Sequence, residues 1–284
     1  MILLDGSTLA KKLEKQIQQD VASFAEKSGV TPGLATVQVG NNPASSVYVG
    51  KKHQACKKVG IRSERVELDE DVSQEALLGH VLRLNLDPAI HGILVQLPLP
   101  KHLDASMIIQ SIDPAKDVDG FHLENVGRLY VDGSGLVPCT PQGVMALLGE
   151  YDVPIAGKRA VVVGRSLIVG KPVAQLLLSQ NATVTIAHSK SENIRALCKE
   201  AQILVVAAGQ PEMVRHDWVA PGACVVDVGI HRNSSGKIVG DVNFDEVSQI
   251  AGFLSPVPGG VGPLTISMLM QNTLKAARGI HVGK

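Results

Sequence analysis

Apolar positions along this chain recur in two alternating periods. "GLATVQV" (33–39) is a short, nearly continuous apolar run, the signature of a strand buried on both faces. "VSQEALLGHVLRLN" (72–85) instead places its apolar residues at helical spacing, and Ser73 stands as a capping residue without a strict capping box. Between the two, "IRSERVEL" (61–68) alternates like a half-exposed strand. "IHGILVQLPLP" (90–100) predicts a buried strand stopped by prolines. A helix capped by Ser7 is expected to run to about Lys27, and another opens at Asn42 with Pro43 in its first turn.

The rhythm breaks between Asp113 and Gln142, where "DPAKDVDGFH", "VDGSG" and "PCTPQG" read as turns, so the domain change is placed there. A second alternating series starts at Lys158 with "KRAVVVG", "KPVAQLLLSQ", "NATVTIAHS", "SENIRALCKE", "QILVVAAG" and "ACVVDVG". It closes at "PVPGGVGP" (256–263), and a last helix is expected over about Thr265 to Arg278. Repeated strand–helix alternation of this kind predicts an α/β fold of two three-layer αβα lobes with mostly parallel sheets.

Composition narrows the function classes. The 284 residues carry 27 basic and 27 acidic side chains, which removes the electrostatic argument for a nucleic-acid or anionic-membrane partner. Aromatics make up only 3%, too few for a row of base-stacking platforms. The amino-terminal segment turns amphipathic early and has no signal-like apolar run, and no later run is long enough to span a bilayer. Four scattered cysteines without a CxxC pair make disulfide and zinc readings weak and suit a reducing cytoplasm.

The second half carries a strand–glycine turn–helix, "RAVVVGRSLIVGKPVAQLLL". Gly164 ends the strand and Gly170 begins the helix, whose free N–H groups and positive dipole end suit a phosphate. Ser166 replaces the second glycine of the dinucleotide fingerprint. At the end of the following strand, where an NAD site usually carries an acid, the chain reads "AHSKS". Ser189, Lys190 and Arg165 together favour a 2′-phosphate and hence NADP over NAD, although a solvated loop arginine and an ordinary strand-end serine are the plain alternatives.

In the first half, the helix opening at Asn42 has an apolar stripe of Ala44, Tyr48, Ala55, Cys56 and Val59, with Lys52 in its middle. Either Lys52 lays its stem over apolar neighbours and keeps its charge wet, or desolvation disfavours its charged form and makes it an acid or base near neutrality. Tyr48, one turn earlier, can cover a flat ligand. Gln96 stands at the carboxyl end of an apolar strand, where open α/β sheets bind ligands, or it simply pairs with loop backbone. Asp119 is either an Asp-Gly turn residue or a carboxylate that accepts two bonds from an amino-heterocycle, and Asp117 competes for that role.

These segments, with "VGNNPASSVYVGKK", "GILVQLPLP", "GRSLIVGKP", "VVDVGI", "GDVNF" and "PVPGGVGPLT", resemble the bifunctional methylenetetrahydrofolate dehydrogenase/cyclohydrolases in the order in which that family carries them. The resemblance implies NADP-dependent oxidation of 5,10-methylenetetrahydrofolate and hydrolysis of the methenyl product to 10-formyltetrahydrofolate. It implies a folate-binding lobe over 1–120 rejoined by a helix over 265–284, a connection over 121–140, and a Rossmann-like NADP-binding lobe over 141–264. A cleft between the lobes and a cytoplasmic homodimer are further expectations. The family's folate-site residues fall on Tyr48, Lys52, Gln96 and Asp119, with Lys52 as acid/base and Gly259 and Gly260 beside the folate. Its NADP contacts fall on Gly164, Arg165, Ser166, Ser189 and Ile230. Leu264 and Ser191 depart from the family's commoner methionine and threonine, away from the chemistry. A dehydrogenase without the hydrolytic step and a non-catalytic NADP/folate-binding regulator are the rival functions.

Overall fold

A computed structural model describes residues 1–41 and 43–282, without the side chains of 43–45, 47 and 282. Along the first half run β1 (Ile2–Leu3), α1 (Gly6–Ser28), β2 (Gly33–Val39), α2 (Pro43–Val59) and β3 (Arg62–Leu68). They are followed by α3 (Gln74–Leu86), β4 (Gly92–Val95), α4 (Ala105–Gln110), α5 (Leu123–Val131) and α6 (Cys139–Glu150). The second half comprises β5 (Arg159–Val163), α7 (Gly170–Ser179), β6 (Thr183–Ala187), α8 (Ile194–Lys199), β7 (Ile203–Val206) and β8 (Cys224–Asp227). The chain ends with β9 (His231–Arg232), β10 (Ile238–Val239), α9 (Phe244–Val247), β11 (Phe253–Leu254) and α10 (Val261–Val282).

Two compact units result. One comprises Met1–Lys11 and Thr140–Thr265, the other Lys12–Cys139 and Ile266–Lys284. The first unit is built on a six-stranded sheet in the order β1-β11-β8-β7-β5-β6, all of whose pairings are parallel. Strands β7 and β8 are buried throughout, as near-continuous Ile/Leu/Val runs require in a sheet covered on both faces. Edge strand β6 is largely exposed. This is the Rossmann-like arrangement that the second series of strands and helices predicts.

The second unit holds a parallel three-stranded sheet, β3-β2-β4, with central β2 wholly buried and edge β3 half-exposed. Its core joins Ala35, Val37, Ile93 and Val95 of the sheet to Leu77, Val81 and Leu84 of α3. Beyond β4 the segment around Asp117 pairs in parallel with Ile93, whose N–H donates to the Lys116 carbonyl at 2.7 Å. That addition to the sheet brings the "KDVDG" turn beside the end of β4.

Several local expectations are corrected. Helix α1 is capped by Asp5, not Ser7: the Asp5 carboxylate accepts the Thr8 N–H at 3.0 Å, while the Ser7 N–H donates to the Gly259 carbonyl at 2.9 Å. The stretch read as turns contains α5, and "PCTPQG" opens α6. His122 caps α5, its Nδ1 accepting the Glu124 N–H, a use of histidine that turn composition does not disclose. The final helix α10 begins within the glycine motif and is longer than its sequence pattern suggested. The Asn42 cap lies outside the described residues, whereas the Ser73 cap on α3 is present, accepting the Ala76 N–H at 3.1 Å.

Candidate functional site

In the unit built on β3-β2-β4, three polar side chains meet near the carboxyl end of β4. Gln96 follows β4 directly, its N–H donating to the Val37 carbonyl at 2.8 Å. Its Nε2 donates to the Leu97 carbonyl at 2.7 Å, which fixes the amide and turns Oε1 towards α2. Lys52 Nζ donates to that Oε1 at 2.9 Å. Of the apolar stripe expected on α2, the Ala44 side chain lies outside the described residues, and the rest differs from expectation. Val49, Cys56 and Val59 form its buried face, Lys52 is half-buried at its margin, and Tyr48 is 42% exposed. The phenol ring is therefore not part of the core, and Lys51 Nζ lies over it at 6.0 Å from the ring centroid.

Asp119 follows the segment paired with Ile93. Its half-buried carboxyl is pushed up to about 6 by burial, against the pull of the Lys52 ammonium and with a further push from Asp117. Asp117 is engaged within the protein. It is 1% exposed, and its Oδ2 accepts the His122 N–H at 2.8 Å and the Asn125 Nδ2 at 3.0 Å. Burial raises its pKa, which those two donors oppose.

Residues that the sequence did not single out hold the Asp119 turn. Asn272 of α10 donates through Nδ2 to the carbonyls of Val118 and Val137, both at 2.8 Å. The buried Cys139 thiol lies against the Val118 carbonyl and the Asp119 carboxylate, at 3.4 and 3.9 Å. Burial and the Asp119 charge hold this thiol well above its usual pKa. Lys116, also buried, donates to the carbonyls of Leu84, Asn85 and Asp87 at the end of α3, at 3.2, 2.7 and 2.9 Å. An asparagine in the apolar stretch "MLMQNTL" was the one available sequence signal for Asn272.

In the other unit, Gly164 leaves β5 at φ +126°, and a Cβ there would fall 2.2 Å from the Ala207 carbonyl oxygen. A Cβ on Gly170 would fall 2.2 Å from the Gly164 carbonyl oxygen. Both positions therefore exclude a side chain, leaving a tight turn at the carboxyl edge of the sheet. The helix start is not wholly free, as the sequence suggested. Ser166 Oγ accepts the N–H groups of Val169 and Gly170 at 3.2 and 3.3 Å. Arg165 is exposed and, among the described residues, makes no hydrogen bond or ion pair. Ser189 is exposed just beyond β6, the neighbour of β5, and Ile230 is exposed just beyond β8. Gly259 adopts φ +108° after the cis Val257–Pro258 bond, and its carbonyl anchors Ser7 of α1. Gly260 is packed so closely against Gly6 that a Cβ on Gly6 would fall 1.9 Å from its carbonyl oxygen. These features fit a dinucleotide: a glycine cradle that a Cβ would fill, and an unpaired guanidinium beside it.

Two family models match the chain. Residues 4–119 match the tetrahydrofolate dehydrogenase/cyclohydrolase catalytic domain, and residues 138–281 match the NAD(P)-binding domain of the same family. The bifunctional protein FolD of Enterococcus faecalis is 53% identical over 276 residues, 97% of this chain and 98% of that protein. The crystal structure of the bifunctional FolD methylenetetrahydrofolate dehydrogenase/cyclohydrolase from Campylobacter jejuni superposes with a TM-score of 0.96 at 47% identity, covering 99% of both chains. The Trypanosoma brucei enzyme, solved in complex with NADP cofactor and inhibitor, gives 0.94 at 42% identity over 99% of this chain and 98% of that one.

Proposed function

Because the chain belongs to the tetrahydrofolate dehydrogenase/cyclohydrolase family, we propose that its two reactions are carried by the residues gathered at these two sheet edges. The protein oxidises 5,10-methylenetetrahydrofolate to the 5,10-methenyl form with NADP, and hydrolyses that product to 10-formyltetrahydrofolate.

Bound NADP+ would supply the hydride acceptor for oxidation of the methylene carbon. Gly164, Arg165, Ser166, Ser189 and Ile230 would hold it, with Arg165 and Ser189 serving the 2′-phosphate. The unpaired guanidinium supports this assignment, since a planar fork matches phosphate oxygens. The folate's pterin rests on the exposed ring of Tyr48, and the Asp119 carboxylate accepts from its amino-pyrimidine edge.

Hydrolysis requires a proton to leave the attacking water and another to reach the ring nitrogen that departs. Lys52 performs both transfers in turn: as the neutral amine it takes the proton that leaves the water, and as the ammonium so formed it gives a proton to the departing ring nitrogen. The hydrogen bond to Gln96 occupies one N–H of the amine and fixes its direction without adding a charge beside a cationic substrate. Gln96 cannot invert its amide without losing the bond from Nε2 to Leu97. The Lys52–Gln96 bond near Asp119 is the observation that carries this reading. The same bond supports a bifunctional enzyme over one that only oxidises, because hydride transfer needs no such proton carrier.

The decisive experiment follows the absorbance of the methenyl species with purified protein. Methylenetetrahydrofolate plus NADP+ should produce the species, and the enzyme should then consume it. Methenyltetrahydrofolate given without NADP+ should be hydrolysed by the native protein and not by Lys52→Met. Equal hydrolysis by both would remove Lys52 from the reaction.

The homodimer and the cytoplasmic setting belong to the same proposal. The outer edge of β3, unpaired among the described residues, supports strand-edge association, which light scattering tests. The four cysteines, all free thiols, support a reducing compartment. Among the described residues no helix is long and apolar enough to cross a membrane.

A further inference from the structure

The Rossmann-like unit contains a buried acidic pair that the chemistry above does not use. Asp241 follows β10 and is 0% exposed. Its Oδ2 accepts the N–H groups of Ala208 and Gly209 at 2.6 and 3.0 Å, and its Oδ1 accepts that of Gln210 at 2.9 Å. A fourth donor, His231 Nε2, reaches Oδ1 at 2.7 Å. Asp241 is itself held by Asp227 at the end of β8. Asp227 Oδ1 accepts the N–H groups of Asp241 and Gly229 at 2.9 and 2.8 Å, and its Oδ2 accepts that of Val242 at 2.9 Å. The fit is tight: a Cβ on Gly240 would fall 1.9 Å from Asp227 Oδ2, and one on Gly229 would fall 2.5 Å from Asp241 Oδ1.

Three successive N–H groups converging on one point form a concavity that ordinarily takes an anion. Here the protein supplies the anion itself. The segment so held, 208–210, leaves β7 directly beside the cofactor turn. The Ala207 N–H donates to the Val163 carbonyl at 2.8 Å, and the Ala207 carbonyl is the group that excludes a side chain at Gly164. Gly209 and Gln210 are exposed, so their backbone path is fixed from beneath by Asp241 and not by burial of their own side chains.

We propose that Asp241, steadied by His231 and Asp227, is a positioning residue for the dinucleotide: it fills the 208–210 nest with its own carboxylate and so sets the wall of the Gly164 turn on which NADP lies. This rests on the assignment of that turn to NADP. Loss of the carboxylate frees the loop, and cofactor affinity falls while the proton chemistry of the other unit is untouched.

The test compares the full-length protein with Asp241→Asn and Arg165→Ala. Asp241→Asn keeps the side-chain shape but replaces one acceptor oxygen with an amide NH₂ facing backbone donors. The dissociation constant for NADP+ should rise at least tenfold by calorimetry, and KM for NADP+ should rise more than kcat falls. The ratio of methenyl hydrolysis to dehydrogenation at fixed NADP+ should increase at least fivefold. A general loosening of the fold would instead lower both activities in proportion, and that result overturns the proposal. Unchanged NADP+ affinity in Asp241→Asn with lost affinity in Arg165→Ala overturns it while leaving the turn's assignment standing. Unchanged affinity in both sinks the assignment as well. Should Asp241→Asn fail to fold, His231→Gln is measured, with a rise of threefold or more in KM for NADP+ at unchanged folate KM expected. An unchanged NADP+ KM there counts against the proposal.

Discussion

Replacing Lys52 by methionine should produce two separable losses, because the ammonium has two neighbours. Its hydrogen bond to Gln96 Oε1 at 2.9 Å disappears, and with it the carrier of both protons in hydrolysis. General acid–base catalysis contributes about 10²–10⁴-fold, roughly 3–5 kcal/mol of barrier, so hydrolysis should fall by that factor. The second loss is electrostatic. Asp119 titrates at about 6 with Lys52 pulling it down against burial and Asp117. A carboxyl at that value is about nine-tenths ionised at pH 7. Without Lys52 the same carboxyl rises, fewer copies are ionised, and each unit of rise takes about 1.4 kcal/mol from the ionised form. Substrate KM in the dehydrogenase reaction should therefore climb with falling pH from a more alkaline starting point than in the native protein. Lys52→Arg separates the effects, since it keeps a cation near Asp119 but has no proton to transfer near neutrality. It should lose hydrolysis and retain the native pH profile of KM. Initial rates of methenyl formation and disappearance from about half a unit below the Asp119 value to about two and a half units above it measure both effects. Hydrolysis within threefold of native in Lys52→Met, or an unmoved KM profile, would refute the reasoning.

Arg165→Ala should weaken NADP+ at least tenfold more than NAD+, read from the two KM values, and equal losses would mean that the guanidinium does not touch the 2′-phosphate. His91 gives a stability prediction. It is fully buried, its Nδ1 accepts the Gly33 N–H at 3.0 Å, and burial, helped by the charges of His281 and Lys116, holds it near 4 against an ordinary 6.5. A base whose folded pKa is depressed contributes stability that is full above its unfolded value and lost as pH falls from 6.5 towards 4, on the order of 3 kcal/mol here. Asp119 and Asp227, both raised to about 6, act with the opposite sign, losing stability as pH rises from about 4 to 6. The difference between native protein and His91→Asn in urea denaturation at pH 7 and pH 4 isolates the histidine, and a pH-independent difference would contradict its assignment. Lys116→Met should destabilise by roughly 2–4 kcal/mol in the same experiment, because three carbonyls at the end of α3 lose their donor. A change below about 0.5 kcal/mol would mean that water replaces the ammonium.

Much of this is legible in the sequence. Strand β2 occupies the run "GLATVQV" residue for residue, since a buried parallel strand leaves an uninterrupted apolar signal. The glycines at 164 and 170 announced a turn that no other residue can make. Lys52 stood out because it interrupts an apolar stripe, although the structure puts it at the margin of that stripe and exposes Tyr48. The helix at 123–131 was hidden by its flanking Asp-Gly and Gly-Ser turns, which dominate any local reading. Asp117 and Asp119 were indistinguishable in "KDVDG", because sequence spacing does not say which carboxylate finds two donors.

What the chain determined alone, then, is everything written in local periodicity and backbone permission: the α/β order, the parallel character of the two main sheets, the glycine turn, and the set of residues capable of acid–base and phosphate chemistry. What only the folded state decided is which of those residues meet. Asn272 reaches Val118 across 154 positions, Lys52 reaches Gln96 across 44, and Asp241 closes on a loop some thirty residues before it. A hydrogen bond is set by a separation of a few ångströms and by burial, and neither quantity exists until the intervening chain has packed.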